Sequence, residues 1–245
     1  MIEVTELRKT FGAVQAVKNV SFRADNGRIT GLLGPNGAGK TTTLRILTGL
    51  MAADGGAVSV DGLDIAADRF GVQRRIGVLP DSRGLYPRLT AREHIEYFGR
   101  LQGVSEAKLR VRYAELIALL QLSELAERRV AAFSHGERNK VALARALIHD
   151  PRNVILDEPT NGLDVGGTRT VRGIINKLRE QGCCVLFSSH VMQEVSALCD
   201  RIVLIAKGTV VAEGTPDELR ERAGCDSLED AFVALVGTDR SEALS

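Results

Sequence analysis

This chain lacks the apolar run of roughly 18 residues that a membrane-spanning helix needs, although 44% of its 245 residues are hydrophobic. It also lacks a charge excess, because 32 lysines and arginines stand against 31 acidic residues. This near-balance gives no electrostatic basis for nucleic-acid binding, so we expect no nucleic-acid partner. The first residues, Met1 to Glu6, carry acidic groups where a secretory signal would carry positive charge. The sequence therefore predicts a cytosolic protein that reaches a membrane only through a partner.

Cysteine is scarce too, and the chain contains only Cys183, Cys184, Cys199 and Cys225. These cysteines form no CxxC pair, and no His/Cys cluster has metal-ligand spacing. Cys183 and Cys184 lie in an apolar run typical of a buried strand. We therefore expect reduced thiols with a structural role.

Short apolar strands alternate with amphipathic helical segments along most of the chain, as in a largely parallel sheet with helices on its faces. Strands are predicted at 28–33, 76–79, 153–156, 185–187 and 202–205, with shorter antiparallel strands at 2–4 and 57–60. Between residues 90 and 150 the pattern is almost entirely helical. The sequence thus predicts an α/β fold with an N-terminal antiparallel β subdomain and an inserted α-helical subdomain.

A glycine-rich segment matches the pattern GxxxxGK[ST] between a predicted strand and a helix predicted from Lys40 to Leu50. Glycines let successive N–H groups turn towards phosphate oxygens, and the helix N-terminus adds partial positive charge. Lys40 is expected to reach the β- and γ-phosphates of ATP, and the Thr41 hydroxyl to bind Mg²⁺. A plain glycine-rich turn is the alternative. The predicted ATP-binding residues here are Gly34, Pro35, Asn36, Gly37, Ala38, Gly39, Lys40, Thr41 and Thr42.

Two carboxylates, Asp157 and Glu158, follow the predicted strand at 153–156. Ligand sites of doubly wound sheets lie at the carboxyl ends of the strands, the same edge as the glycine-rich loop. Asp157 is suited to hold Mg²⁺ through its water shell, and Glu158 to orient or deprotonate the water that attacks the γ-phosphate. Such a pair alone is more often a helix cap, but beside the loop it indicates catalysis.

A third segment, Phe133-Ser134-His135-Gly136-Glu137, precedes a helical run. It resembles the signature motif LSGGQ of the ABC transporter ATPases, and the resemblance covers almost the whole chain. The resemblance implies a P-loop NTPase core in which Ser134, Gly136 and Glu137 contact an ATP bound to a second copy. Two copies would then close head-to-tail around two ATP molecules. His135 and Glu137 depart from the commonest consensus.

Further positions match the same family in order. The segment 159–164 resembles the D-loop, and Ser188-Ser189-His190 resembles the switch segment. The resemblance implies that His190 touches the γ-phosphate, although a lone histidine after a strand is usually structural. Phe11 resembles the aromatic residue that stacks on adenine, with Val17 packing nearby; a core position is the alternative for Phe11.

Position 81 departs from the family, which usually has a glutamine after this strand and proline, whereas this chain has Asp81. A carboxylate can bind Mg²⁺, but while ionised it cannot donate a hydrogen bond as an amide does. The loop at 83–89 is expected to contact a membrane partner through exposed Leu85 and Tyr86, with ordinary loop residues as the alternative.

The resemblance implies an ATP-binding and ATP-hydrolysing subunit of an ABC transporter, at the cytoplasmic face of the bacterial inner membrane. We predict a nucleotide-binding domain at 1–236, its helical subdomain at about 88–150, and a flexible tail at 237–245. The expected partners are a second copy of the chain and a polytopic membrane permease.

Segments 81–87, 188–195 and 228–232 resemble the subclass that serves exporters with a separate permease. That subclass includes bacterial sodium-extruding ATPases, so Na⁺ is the predicted cargo, with a drug or lipid-linked polymer as the alternative. A soluble ABC ATPase of translation or DNA repair is a distant alternative, because the chain has one cassette and no coiled-coil or zinc insertion. A generic P-loop switch or kinase is a third alternative. The signature segment argues against it, because such a protein needs no second phosphate site on a partner.

Overall fold

The computed structural model describes residues 1–82 and 84–237. The predicted tail therefore lies outside the described residues except for Gly237. The strands are β1 (Ile2–Phe11), β2 (Val14–Ala24), β3 (Ile29–Leu33), β4 (Gly55–Val60), β5 (Leu63–Asp64), β6 (Ile76–Leu79), β7 (Asn153–Asp157), β8 (Cys184–Ser188), β9 (Arg201–Ala206) and β10 (Thr209–Gly214). The helices are α1 (Lys40–Leu47), α2 (Arg69–Gln73), α3 (Ala91–Leu101), α4 (Glu106–Leu119), α5 (His135–Leu147), α6 (Val165–Glu180), α7 (Met192–Leu198), α8 (Pro216–Ala223) and α9 (Leu228–Gly237).

The strands form one sheet in the order β5-β4-β1-β2-β10-β9-β3-β8-β7-β6. Strands β9, β3, β8, β7 and β6 are parallel, whereas β1, β2, β4 and β5 pair antiparallel. Strand β10 joins the two parts, because it pairs antiparallel with β9 and parallel with β2 at Thr209 and Asn19. The predicted α/β fold, with a mostly parallel core and an N-terminal antiparallel part, is confirmed.

The parallel strands are buried on both faces, which explains their continuous apolar runs. Side chains alternate between the faces of a strand, so Val154 and Leu156 of β7 join one buried cluster and Ile155 joins the other. The first cluster packs against α3, α4 and α5, and the second lies between the antiparallel strands and α1. The sheet therefore has a helical layer on one face and α1 on the other, with the strand ends left for loops.

Helices α3, α4 and α5 lie in the predicted helical region. The segment Phe133 to Glu137 was expected to precede a helical run, but α5 already begins at His135 within it. The reason is a capping box, in which the Ser134 hydroxyl accepts the Glu137 N–H and the Glu137 carboxylate accepts the Ser134 N–H. Helix α1 ends at Leu47 rather than Leu50, because the left-handed φ of +70° at Gly49 turns the chain.

Across residues 1–82 and 84–237, no helix combines the length and the apolar character that crossing a membrane requires.

Candidate nucleotide-binding site

The glycine-rich loop connects the buried strand β3 to α1. Gly34 lies so close to β9 that a Cβ atom there would stand 2.0 Å from the Ile205 carbonyl oxygen. Gly39 caps α1 with a φ of +106°, and a Cβ there would stand 2.5 Å from the Ala16 carbonyl oxygen. Within the described part of the chain no side chain caps α1, so its first N–H groups lack the side-chain partner that often caps a helix terminus. This uncapped terminus on a tight glycine loop fits a phosphate group.

Lys40 lies over this loop, where its Nζ donates to the carbonyl oxygens of Gly34 at 2.6 Å and Pro35 at 3.1 Å. Burial lowers the pKa of Lys40, and the nearby charges of Glu158 and Asp157 oppose that shift. The fold therefore brings the predicted phosphate-binding lysine close to both predicted catalytic carboxylates.

The acidic pair is held at the end of β7 by the neighbouring strand β8. Ser188 Oγ donates to Asp157 Oδ1 at 2.5 Å, and the Glu158 N–H donates to the Ser188 carbonyl oxygen at 3.2 Å. Glu158 has a φ of +49°, a conformation that is uncommon for a residue other than glycine and is often found at functional sites. Ser188 therefore fixes both the carboxylate of Asp157 and the backbone of Glu158.

His190 follows β8 and reaches Glu158 across the strand ends. Its Nδ1 lies 2.9 Å from Glu158 Oε2, with the His190 side chain 62% exposed and the Glu158 side chain 18% exposed. A histidine that donates to a carboxylate orients that carboxylate for proton transfer. The structure therefore brings Lys40, Asp157, Glu158 and His190 together.

Three predicted Mg²⁺ ligands, Thr41, Asp81 and Asp157, line one cavity of about 280 Å³. Hydroxyl and carboxylate oxygens are the ligands that Mg²⁺ prefers, and the ion commonly takes one or two carboxylates together with substrate phosphates. Within residues 1–82 and 84–237, no cluster of three or more His, Cys, Asp or Glu side chains is placed to hold a metal. These side chains therefore fit a Mg²⁺ ion whose other ligands would include phosphate oxygens of ATP.

The two predicted adenine contacts occupy different environments. Phe11 ends β1 with a side chain that is 46% exposed, and Lys9 Nζ lies 5.7 Å from its ring centroid. Val17 is buried, and a Cβ at Gly39 would lie 3.6 Å from its Cγ2. Phe11 therefore has a ring at the surface, whereas Val17 is buried next to Gly39 of the glycine-rich loop.

Among residues 1–82 and 84–237, the hydrogen bonds of Ser134 and Glu137 stay within α5 and its cap, and none joins the signature segment to residues 34–42. Ser134 is exposed at the N-cap of α5. Behind it, the His135 ring lies 3.0 Å from where a Cβ would stand at Gly162, in the predicted D-loop. The segment thus borders the D-loop and faces outward.

Sequence reasoning missed side chains that tie these segments together. Asn139 is fully buried in α5, and its Nδ2 donates to the Pro159 carbonyl oxygen at 2.5 Å. Thr160 donates through Oγ1 to the buried carboxylate of Glu194 in α7. The signal was present for Asn139, because a polar residue within the apolar stripe of α5 needs a partner.

Known proteins supply an independent comparison. The family model described as "ABC transporter" matches residues 17–161. The chain is 41% identical to the ABC transporter ATP-binding protein NatA of Bacillus subtilis (strain 168), over 96% of this chain and 98% of NatA. It is 36% identical to the linearmycin resistance ATP-binding protein LnrL of the same strain, over 96% of this chain and 76% of LnrL.

Two solved structures agree with this assignment. The structure of an ATP-binding subunit of an ABC transporter superposes with a TM-score of 0.90 at 32% identity, covering 96% of this chain and 99% of that chain. A dimeric ATP-binding cassette in a post-hydrolysis state, bound to ADP and Pi, superposes with a TM-score of 0.80 at 27% identity, covering 88% of this chain and 98% of that chain. The family match, the relatives and the arrangement of the loop, the acidic pair and the histidine agree: this chain is an ATP-binding, ATP-hydrolysing member of the ABC transporter family.

Proposed function

We propose that this chain drives export of Na⁺ through a separate membrane permease, working as a head-to-tail dimer at the cytoplasmic face of the bacterial inner membrane. The observation that carries the exporter assignment is the similarity to a relative named for export, the Nod factor export ATP-binding protein I, which is 38% identical over 93% of this chain. Na⁺ as the cargo rests on the resemblance of three segments to the exporter subclass, which includes sodium-extruding ATPases.

In the proposed reaction, the residues of the first copy hold the triphosphate. The uncapped N-terminus of α1 and Lys40 bind the phosphates, and Thr41, Asp81 and Asp157 hold Mg²⁺, which neutralises charge on the phosphates when bound. Glu158 accepts the proton of the attacking water, because its carboxylate lies among these groups and His190 fixes its orientation at 2.9 Å. His190 contacts the γ-phosphate and responds to its departure.

The second copy supplies the signature segment. Ser134 is exposed at the N-terminus of α5. A helix N-terminus attracts anions, so Ser134 and Gly136 can close on a triphosphate held by a partner. The dimeric ATP-binding cassette that this chain resembles supports that arrangement.

The permease is proposed to bind a groove between the turn that follows α1 and helices α3 and α5. The groove has a volume of about 390 Å³, and Leu50, Phe98 and Arg145 are among its lining residues. Nearby Leu50 is 71% exposed and Tyr86 is 51% exposed. The expectation of an exposed Leu85 was wrong, because Leu85 is partly buried and packs against the core. Tyr86 and Leu50 therefore replace it as apolar anchors.

Reconstitution tests this proposal. The chain and a candidate polytopic permease would be purified together, placed in liposomes and supplied with ATP, and the Na⁺ flux would be measured. We expect ATP-dependent Na⁺ movement that Glu158→Gln abolishes. ATP hydrolysis without Na⁺ movement would overturn the cargo assignment.

A drug or a lipid-linked polymer is the second candidate cargo. LnrL is named for linearmycin resistance, and a 38% identical relative from Paraburkholderia xenovorans (strain LB400) is named as a Nod factor export protein. The same liposomes, loaded with an amphipathic drug, would show ATP-dependent drug movement if this candidate were right.

A further inference from the structure

Three stacked rings hold the loop that follows Asp81 against α3. The Tyr86 and His94 rings have centroids 5.4 Å apart with planes inclined by 16°, and the His94 and Phe98 rings are 5.7 Å apart and inclined by 4°. His94 and Phe98 are one helical turn apart on α3, whereas Tyr86 belongs to the loop. The stack therefore joins the loop to the helical part of the molecule.

His94 also makes a directional contact within this stack. The Tyr86 N–H donates to His94 Nε2 at 2.6 Å, and the His94 side chain is fully buried. Accepting this bond requires a neutral ring with its proton on Nδ1. Burial, together with the charge of Arg145, lowers the pKa of His94 to about 4, which keeps the ring neutral. Within the described residues Nδ1 has no hydrogen-bond partner, so the bond to Tyr86 is the ring's polar contact there.

Arg145, in the last turn of α5, also contacts this loop. Its Nη1 donates to the Gly84 carbonyl oxygen at 3.1 Å, and its Cζ lies 4.8 Å from the centroid of the Phe98 ring. Asp81 thus lies in the cavity that Thr41 and Asp157 line. Gly84 and Tyr86, further along the chain, are hydrogen-bonded to α5 and α3.

We propose that His94 is a positioning residue for ATP hydrolysis, because the Tyr86 N–H that it accepts fixes the loop and thereby places Asp81 beside Thr41 and Asp157. The inference rests on the proposed role of Asp81 in holding Mg²⁺. A purely structural His94 would contribute ring packing alone, whereas a positioning residue must contribute its acceptor nitrogen.

Two substitutions separate the ring from the acceptor. His94→Phe keeps an aromatic ring in the stack and leaves the Tyr86 N–H without an acceptor. His94→Gln removes the ring but offers an oxygen to the same N–H. Loss of the acceptor for this partly buried N–H makes local opening about tenfold more frequent. We therefore expect amide hydrogen exchange at Tyr86 to accelerate by about that factor in His94→Phe and to stay near wild type in His94→Gln.

Kinetics supply the second measurement. We expect His94→Phe to lower kcat about tenfold or more, since small misplacements of a site group are costly, and to raise the Mg²⁺ concentration needed for half-maximal hydrolysis because Asp81 is displaced. His149→Phe is the matched control, since this partly buried histidine lies 3.0 Å from the Ile76 carbonyl oxygen and bonds elsewhere. Equal effects of His94→Phe and His94→Gln on exchange, or an unchanged kcat in His94→Phe, would overturn the inference.

A measurement on the wild-type protein covers the case in which His94→Phe does not fold. Nitrogen-15 NMR of the imidazole should show the proton on Nδ1 and a through-hydrogen-bond coupling between Tyr86 N and His94 Nε2. A proton on Nε2 would overturn the inference. None of these experiments involves a permease or Na⁺, so their failure is distinct from failure of the export proposal.

Discussion

Glu158→Gln isolates proton acceptance from the shape of the site. The amide matches the carboxylate in size, and the backbone of residue 158 stays anchored by its N–H to the Ser188 carbonyl oxygen at 3.2 Å. Its side chain can still pair with His190 Nδ1, which lies 2.9 Å from Glu158 Oε2. A general base contributes about 10²- to 10⁴-fold to rate, or about 3 to 5 kcal/mol of barrier. We therefore expect kcat to fall by at least about a hundredfold.

ATP affinity should survive this change. The substitution leaves the glycine-rich loop intact and removes one negative charge near Lys40, so repulsion of the triphosphate does not increase. Phosphate release in a single turnover measures the rate, nucleotide titration measures the affinity, and size-exclusion chromatography with MgATP should show an accumulated dimer.

Glu213→Gln is the control for this substitution, because Glu213 is also partly buried and pairs with Arg201 at 2.7 Å, on a strand that bears none of the site residues. A Glu158→Gln variant that hydrolyses ATP within about threefold of wild type would refute the catalytic assignment, since a lost general base costs far more.

Three further predictions follow. Lys40→Ala should weaken ATP binding about a hundredfold or more, because it removes charge-assisted bonds to phosphate; fluorescent-nucleotide titration measures this, and unchanged affinity would contradict it. Asp81→Ala should raise the Mg²⁺ concentration needed for half-maximal hydrolysis, whereas Asp81→Gln, which retains an oxygen, should raise it less; equal responses would contradict the ligand role. Folding lowers the pKa of His94 from 6.5 to about 4, so below pH 6.5 the unfolded chain binds a proton that the folded chain does not. The contribution of His94 to the free energy of unfolding is therefore complete above pH 6.5 and declines by about 3 kcal/mol down to pH 4. Urea unfolding at several pH values should show a shallower decline in His94→Gln, and identical slopes would contradict this.

Local patterns predicted the parallel core well because its strands are buried on both faces. Strand β6 was predicted with the bounds that the structure has, and β3, β7, β8 and β9 to within one or two residues. Strands β2 and β10 were missed, because β2 includes exposed Lys18 and Arg23 and carries no uninterrupted apolar run. Their pairing at Asn19 and Thr209 joins residues far apart in the chain, which periodicity cannot reveal.

The motifs named most of the residues that meet at the strand ends, since each motif encodes one loop. They could not show how the loops are fixed relative to one another. The hydrogen bond from Ser188 to Asp157 joins residues 31 positions apart in the chain. The bond from the Tyr86 N–H to His94 spans eight positions, but it joins a loop to a helix, which neither motif encodes. The capping box at Ser134 and Glu137 was readable from its spacing, and applying that rule would have placed the start of α5 correctly.

A mixing experiment tests the shared site most directly. Ser134→Arg should block closure on the partner's ATP and Lys40→Ala should block binding, so each variant alone should be inactive. In an equal mixture, random pairing makes about half of the dimers mixed, each with one intact site, and should recover about a quarter of wild-type hydrolysis. Mixed dimers that form, as shown by capture through two different tags, yet hydrolyse no ATP would contradict an active site built from two chains.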